Sequence, residues 1–317
     1  MAAADVGDDV FGEDPTVNRL QSHLAELTGK EDALFFPSGT QSNLAALMSH
    51  CQRGDEYLVG QQAHTYRYEG GGAAVLGSIQ PQPLEHAADG SIPIDALRAA
   101  IKPVDPHYAR TRLVALENTI GGKVLSMDYV KQAADLASEI GLAFHLDGAR
   151  VCNAAVALQT PLAYVCQPFD SVSICFSKGL GAPVGSALVG SRDLIAQARR
   201  WRKMLGGGMR QAGMLAAACL YALEHNYERL AEDHENAAWL ANELRQIEQL
   251  QVLSQHTNMV FVTVPATHVK PLEAHLAQRG VVFRGAYGGA TRLVTHLDIT
   301  REDLATAAKA IRSYFGA

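Results

Sequence analysis

Short apolar runs and amphipathic segments alternate along the first two thirds of the chain, with polar turns between them. Residues 14–28 place Val17, Leu20 and Leu24 at helical spacing, begin with Asp-Pro and stop before Gly29, which predicts an N-terminal helix. Continuous apolar runs predict strands at 33–37, 57–60, 111–116, 142–146, 172–176 and 186–189. Helical periodicity between them predicts helices at 44–49, 94–101, 127–139, 191–201 and 211–223. This alternation predicts an α/β fold with a mostly parallel central sheet and crossover helices.

The last third of the chain has a different pattern. A charged helix is predicted over 227–246, followed by strands at 257–264, 281–284 and 291–295 and a final helix at 302–314. This region has few predicted elements and begins with a charged linking helix, which indicates a smaller α+β domain. We therefore predict a large domain over 1–225 and a small domain over 226–317, with the N-terminal helix able to pack on the small one.

The composition limits the classes of partner that the protein can bind. The 317 residues are 48% hydrophobic and 19% charged, with a net charge of -6, so the chain lacks the basic surface that nucleic acids or anionic membranes require. The first ten residues, MAAADVGDDV, have neither a basic region nor an apolar core, which favours a cytoplasmic protein. Five cysteines are scattered without a C-x-x-C pair, and the twelve histidines form no metal motif, so we predict buried thiols and no metal.

Polar residues recur where predicted strands end. In a parallel sheet these ends meet at one edge, which is where ligands bind. The residues concerned are Ser38, Gly39 and Thr40, His64, Glu117 and Asn118, Asp147 with Arg150, and Lys178.

Lys178 follows an apolar strand and opens a glycine-rich turn in FDSVSICFSKGLGAPVG (169–185). A lysine that is partly removed from water is suited to form a Schiff base with a carbonyl. Taken alone, the stretch is equally compatible with a strand whose lysine points to solvent. A dinucleotide fingerprint is disfavoured, because Gly185 lies one position late and Pro183 would disturb the helix that should begin there.

Three strand-end groups together fit pyridoxal 5′-phosphate. Lys178 would hold the aldehyde, and Asp147, one crossover unit earlier, would keep the pyridine nitrogen protonated. Ser38, Gly39 and Thr40 would receive the phosphate at a helix N-terminus.

The chain resembles the low-specificity L-threonine aldolases, a family of fold-type-I pyridoxal-phosphate enzymes, nearly from end to end. The motifs that carry the resemblance are VGDDVFGEDPTVN (6–18), PSGTQSN (37–43), the His64 segment, LEN (116–118), HLDGAR (145–150), SICFSKGLGAPVG (173–185), RKMLGGGMRQAG (202–213), TNMVF (257–261) and RLVTHLD (292–298). The resemblance implies reversible retro-aldol cleavage of L-threonine or L-allo-threonine to glycine and acetaldehyde.

The resemblance also assigns roles to residues. Arg150 and Arg292 look like anchors of the substrate carboxylate, and Arg150 would also contact the cofactor. His64 resembles the residue that stacks on the cofactor ring beside the substrate hydroxyl and is the candidate base for its proton. His107 resembles a residue that faces the hydroxyl side chain and tunes threo/erythro preference.

A neighbouring subunit is implied as well. Lys203 and Arg210 look like cations that reach the cofactor site from a second subunit, because the family forms dimers paired into tetramers, and Glu69 is placed near the same interface. The family usually carries Leu-Arg-Ser-Asp-Thr-Val-Thr upstream of the VGDD motif, where this chain has only MAAAD, so weaker binding or assembly is one expectation. The alternatives are a sister enzyme (an aminotransferase, a racemase or a β-eliminating lyase) and a cofactor-binding protein without turnover.

Overall fold

The computed structural model describes residues 1–286 and 289–316. The chain divides into two compact units, Met1–Tyr227 and Glu228–Ala317. No helix within those described residues is both long enough and apolar enough to cross a membrane.

The first unit is built on a seven-stranded sheet. Its strands are β1 (Asp32–Phe36), β2 (Asp55–Gly60), β3 (Gln80–Leu84), β4 (Arg110–Glu117), β5 (Ala143–Gly148), β6 (Ser171–Cys175) and β7 (Ser186–Gly190). Their order across the sheet is β1-β7-β6-β5-β4-β2-β3. Neighbouring strands from β3 to β6 pair in parallel, whereas β7 runs antiparallel to both β6 and β1. The predicted mostly parallel sheet is therefore confirmed.

Helices cover this sheet. They are α1 (Pro15–Thr28), α2 (Gly39–His50), α3 (His64–Arg67), α4 (Gly72–Val75), α5 (Ile94–Ala100), α6 (Met127–Ile140), α7 (Val151–Leu158), α8 (Leu162–Cys166), α9 (Arg192–Met204) and α10 (Gly213–Asn226). Helix α1 confirms the predicted start and stop signals. The Asp14 carboxylate accepts from the backbone N–H of Thr16 and of Val17, and Gly29 ends the helix in a left-handed conformation.

Burial explains why the sheet is stable. Strands β2, β6 and β7 are buried at every position, as expected for strands covered on both faces. Helix α2 is also buried along Ser42–Met48, so it lies between the sheet and neighbouring helices instead of facing solvent. It packs on α9 and on strands β6 and β7. Any polar side chain on its inner face must therefore find a partner inside the protein.

The second unit contains a three-stranded antiparallel sheet and three helices. The strands β8 (Gln251–His256), β9 (Met259–Thr263) and β10 (Thr291–Val294) lie in the order β10-β9-β8. Helices α11 (Leu230–Arg245), α12 (Ala266–Ala277) and α13 (Arg301–Phe315) pack with them around a core that includes Leu240, Val260, Leu276 and Ile311.

Several predicted elements differ from the structure. Helix α2 begins at Gly39 and not at residue 44, because Ser38 caps it. The predicted strand 257–264 is confirmed as β9 (Met259–Thr263) but begins two residues later, since Thr257 has a positive φ of 42° and lies in the turn between β8 and β9. Residues 281–284 form no strand. Strand β3 was not predicted, because Pro81 and Pro83 argue against a strand anywhere except at a sheet edge.

Candidate active site

A cavity of about 310 Å³ lies at the carboxyl ends of strands β1, β5 and β6. Its lining brings together Ser38, Gly39, Thr40, His64, Asp147 and Lys178, all of which were predicted from the sequence. The other lining residues are Pro37, Asn43, Glu69, Ala149, Ser173, Cys175, Ser177, Pro183 and Val184. Residues that are far apart in the chain therefore border one cavity, as a parallel sheet requires.

The N-terminus of helix α2 forms one wall. Ser38 Oγ accepts from the backbone N–H of Gln41 over 3.3 Å, and this cap begins a helix of twelve residues. The first backbone N–H groups of a helix carry partial positive charge, which attracts phosphate. Gly39 also lets this turn pack closely against strand β7, because a Cβ there would lie 3.3 Å from Ser186 Oγ. This end of the cavity can therefore hold an anion.

Asp147 is buried at the end of strand β5, with only 4% of its surface exposed. Its Oδ2 accepts from Asn43 Nδ2 over 3.0 Å, and its Oδ1 accepts from the backbone N–H of Ala149 over 3.1 Å. These two bonds hold the carboxylate in one orientation. Such a fixed carboxylate can pair with a protonated ring nitrogen.

His64 is half-buried at the cavity wall and is tied to two carboxyl groups. Its Nδ1 lies 2.8 Å from Glu69 Oε1, and its backbone N–H donates to Glu117 Oε2 over 2.7 Å. The hydrogen bond to Glu69 raises the pKa of His64, against the opposing effect of burial. The His64 ring therefore holds a proton to a higher pH than an isolated imidazole.

The pKa is raised for two acids at the site, Glu69 in the cavity lining and Glu117 beside His64. Burial raises the pKa of Glu69, although the hydrogen bond from His64 opposes this. Burial, followed by the charge of Asp147, raises the pKa of Glu117 to about 8. The raised pKa favours the neutral form of Glu117 next to the Asp147 carboxylate.

The remaining predicted site residues do not line this cavity. Arg150 occupies the N-cap position of helix α7 and is half-buried. His107 lies on an exposed loop, where its ring bonds to Asp105 Oδ1 over 2.6 Å and its side chain is 84% exposed. Lys203 is exposed near the end of helix α9, and Arg210 pairs with Asp8. Arg292 belongs to the second unit, where it is exposed on strand β10. Their roles stay predictions.

Sequence reasoning assigned no role to Asn43 and placed Glu69 at an interface. In the structure Asn43 is 3% exposed and its Nδ2 donates to both Asp147 and Glu69. The available signal was an asparagine directly before the apolar run Leu44–Met48 of helix α2, since a polar side chain has to be paired if it is buried. Only the fold shows that its partners are 26 and 104 residues away.

Ligand atoms of His64, Glu69 and Asp147 lie within 4.8 Å of one another and form the one cluster of metal-ligand type among residues 1–286 and 289–316. Each of the three already takes part in a hydrogen bond with a protein group. The sequence-based expectation of no metal stays a prediction.

Comparison with known proteins gives a consistent result. The family described as Beta-eliminating lyase matches residues 1–267. The low specificity L-threonine aldolase of Escherichia coli K12 is 56% identical over 314 residues, which cover 99% of this chain and 93% of that protein. That of Saccharomyces cerevisiae is 34% identical, covering 98% of this chain and 81% of the relative.

Solved structures agree in fold. A crystal structure of a putative L-allo-threonine aldolase from Listeria monocytogenes superposes with a TM-score of 0.83 at 23% identity, covering 98% of this chain and 89% of that chain. Threonine aldolase from Leishmania major gives a TM-score of 0.83 at 21% identity, with coverage of 99% and 93%. From these matches and from the cavity at the strand ends, we conclude that the chain belongs to the low-specificity L-threonine aldolases, within the Beta-eliminating lyase family.

Proposed function

We propose that this protein is a pyridoxal-phosphate-dependent lyase that cleaves L-threonine, L-allo-threonine and related β-hydroxy-α-amino acids to glycine and an aldehyde, reversibly. The observation that carries the proposal is that Lys178, Asp147 and the N-terminus of helix α2 line one cavity in a chain 56% identical to a low specificity L-threonine aldolase. We further propose a cytoplasmic enzyme, active as a homotetramer built from two dimers, with roles in threonine degradation and glycine formation.

What supports the cofactor is the chemistry of the lining residues. A lysine can bind an aldehyde, a buried carboxylate can pair with a pyridinium nitrogen, and a helix N-terminus can receive a phosphate. The three groups are supplied by Lys178, Asp147 and Ser38–Thr40, respectively. All of them belong to the predicted large domain, residues 1–225. When bound, pyridoxal phosphate supplies an electron-withdrawing ring that takes up the electron pair of a bond broken at the substrate Cα.

The protein then has to select which bond at Cα breaks. In this proposal Arg150 and Arg292 bind the substrate carboxylate, and this orients the Cα–Cβ bond for cleavage. The hydroxyl proton leaves, the Cβ–O bond becomes the carbonyl of the aldehyde, and Cα gains a proton to give glycine. Lys203 and Arg210 of a neighbouring subunit contribute positive charge near the cofactor.

His64 is the proposed acceptor of the hydroxyl proton. In the neutral ring, Nδ1–H donates to Glu69 Oε1, so the Nε2 lone pair is left to accept a proton. His107 is proposed to face the hydroxyl side chain and to set the threo/erythro preference.

The test is to add L-threonine to the purified protein with pyridoxal phosphate and to measure acetaldehyde, glycine and the visible absorption of the bound cofactor. We expect both products and an absorption band. Lys178→Ala should lose the band and lower the rate at least about a hundredfold. Lys131→Ala, at an exposed position on helix α6, is the matched control and should keep both.

Other outcomes separate the alternatives. The family description favours β-elimination as the second candidate function, and this reaction would release 2-oxobutanoate and ammonia from threonine instead of acetaldehyde. A band without any product would mean a cofactor-binding protein without turnover. A protein that never acquires a band would exclude the cofactor.

A further inference from the structure

A chain of hydrogen bonds, buried except at its His50 end, runs from Asp147 away from the cavity and through the protein. Asn43 Nδ2 donates to Asp147, and Asn43 Oδ1 lies 3.4 Å from His145 Nε2. His145 Nδ1 lies 2.8 Å from Ser171 Oγ, and the same oxygen lies 2.7 Å from His50 Nε2. His145 and Ser171 have no exposed surface. These five residues are called the Asp147 relay below.

The fold dictates this arrangement. Asn43 and His50 are seven residues apart on helix α2, so they share one face and are separated by about 10 Å along the helix axis. His145 and Asp147 are two residues apart on β5 and point to the same face of the sheet. Ser171 is the cross-strand partner of His145 in the parallel pairing of β5 with β6. The sheet therefore contributes Asp147, His145 and Ser171, and the helix contributes Asn43 and His50.

The far end of the relay lies at the opposite edge of the sheet. His50 borders a cleft of about 1010 Å³, together with Ala143 and Phe144 at the start of strand β5 and Asp170 just before β6. At the other end of these strands, Asp147 lies at the carboxyl end of β5, and Lys178 follows the carboxyl end of β6. The relay thus connects the cavity to a second surface of the first unit.

The direction of every bond in the relay can be deduced. Asn43 Nδ2 lies 2.9 Å from Glu69 Oε1 and 3.0 Å from Asp147 Oδ2, so it must be the amide nitrogen, because an oxygen there would face two acceptors. Asn43 Oδ1 can then only accept, which requires a proton on His145 Nε2. Burial lowers the pKa of His145 to about 3, so the ring is neutral at pH 7 and its Nδ1 must accept from Ser171 Oγ–H.

The last step follows in the same way. Because the Ser171 hydroxyl hydrogen is used, its oxygen accepts from His50 Nε2–H. Burial lowers the pKa of His50 to about 4, although the nearby Asp170 opposes this, so His50 is also neutral at pH 7. Both histidines therefore carry their proton on Nε2, and every donor in the relay points toward Asp147 and Glu69.

We propose that His145, Ser171 and His50 are positioning residues, which fix the Asn43 amide so that its nitrogen holds the Asp147 carboxylate in the orientation that binds the cofactor ring. They act through Asn43 and touch neither substrate nor cofactor. The role assigned to Asp147 rests on the proposed function, whereas the proton positions do not.

The first test reads the proton positions directly. Solid-state NMR of cofactor-free protein labelled with ¹⁵N-histidine should show a one-bond N–H coupling at Nε2, and none at Nδ1, for both His50 and His145 at pH 7. His50→Gln and His145→Gln identify the signals by deleting one each. A proton on Nδ1 or a cationic ring at either residue would overturn the proposed direction. An absence of acetaldehyde formation would count against the proposed function only.

The second test replaces His145 with glutamine or asparagine, whose side-chain amides differ in length. In His145→Gln the side-chain nitrogen can take the place of Nε2 and donate to Asn43, whereas in His145→Asn it reaches only the position of Nδ1. We expect His145→Gln to bind pyridoxal phosphate within about threefold of the wild type, and His145→Asn to bind it about tenfold more weakly, which corresponds to one lost hydrogen bond. Equal affinity of the two variants would contradict the proposal.

If circular dichroism shows that His145→Asn fails to fold, Ser171→Ala serves as a second variant that tests the same proposal. This variant removes the donor to His145 Nδ1 and lets the ring carry its proton there. We expect a mixture of the two ring tautomers at His145 and a weaker affinity for pyridoxal phosphate. Unchanged tautomer and affinity would show that the outer half of the relay does not act on Asn43.

Discussion

His64 Nδ1 donates to Glu69 Oε1 over 2.8 Å, and Glu69 is only 5% exposed whereas His64 is 38% exposed. The histidine can thus reach a ligand in the cavity while its buried partner stays in place. This pair links the proposed base to the Asp147 relay, because Glu69 Oε1 also accepts from Asn43.

Replacing the Glu69 carboxyl group should shift the pH dependence of the reaction. The hydrogen bond to Glu69 raises the pKa of His64, and a base works only when it is unprotonated, so activity rises as pH increases through that pKa. Glu69→Gln removes this effect and should move the acid limb of kcat/KM to lower pH. Glu139→Gln, in an exposed pair with Arg98, is the control and should not move the limb. An unmoved limb in Glu69→Gln would contradict the role of His64 as the base.

Gly185 should not tolerate a side chain. Its φ is 111°, and a Cβ there would lie 2.7 Å from the Phe35 ring and 3.0 Å from Cys219 Sγ. We expect Gly185→Ala to lower the free energy of unfolding by at least about 2 kcal/mol, because backbone strain and a steric clash add. Gly12 also has a positive φ, of 74°, but a Cβ there would have no neighbouring atom within 4 Å, so Gly12→Ala should cost about 1 kcal/mol. Urea unfolding of both variants measures the difference, and equal losses would exclude the clash.

Breaking a buried ion pair should lower the free energy of unfolding far more than breaking an exposed one. Arg202 Nη2 donates to Asp9 Oδ2 over 2.7 Å, and Arg202 Nη1 donates to the carbonyl of Phe35, also over 2.7 Å. Arg202 is 3% exposed and Asp9 is 1% exposed, so Arg202→Ala leaves a buried carboxylate without its cation and should cost about 3–5 kcal/mol.

Arg98→Ala is the comparison for Arg202→Ala, since Arg98 and Glu139 are both more than half exposed. We expect a much smaller loss of stability for this variant in the same urea titration, because solvent screens an exposed pair. A comparable loss in the two variants would show that burial does not determine the contribution of these pairs.

The sequence predicted best where the controlling signal was local. Asp14-Pro15 and Gly29 mark the ends of helix α1 because capping depends on neighbouring residues only. Prediction failed where the fold overrides local preference. Helix α12 was not predicted because Pro271 lies inside it, and Pro81 and Pro83 are accommodated at the edge position of β3.

In the candidate active site, too, residues with a local sequence signal were predicted and residues brought together only by the fold were not. Lys178, Asp147 and the Ser38 turn were found because each follows a strand, and strand ends are recognisable in sequence. The relay was not found, because His50, His145 and Ser171 sit at positions in their elements where a histidine or serine is commonly a satisfied core residue. Only the pairing of β5 with β6 and the packing of α2 show that they share hydrogen bonds.

The reversed strand β7 has a consequence for synthesis of the chain. It is the sole strand neighbour of β1 within the described sheet, yet it begins at residue 186, whereas β1 begins at 32. At about 5–20 residues per second, the ribosome needs roughly 8–30 s to add the intervening residues. During that interval the apolar segment Ala33–Phe36 has no strand to pair with, and such an unpaired apolar strand is open to association with other chains until β7 emerges.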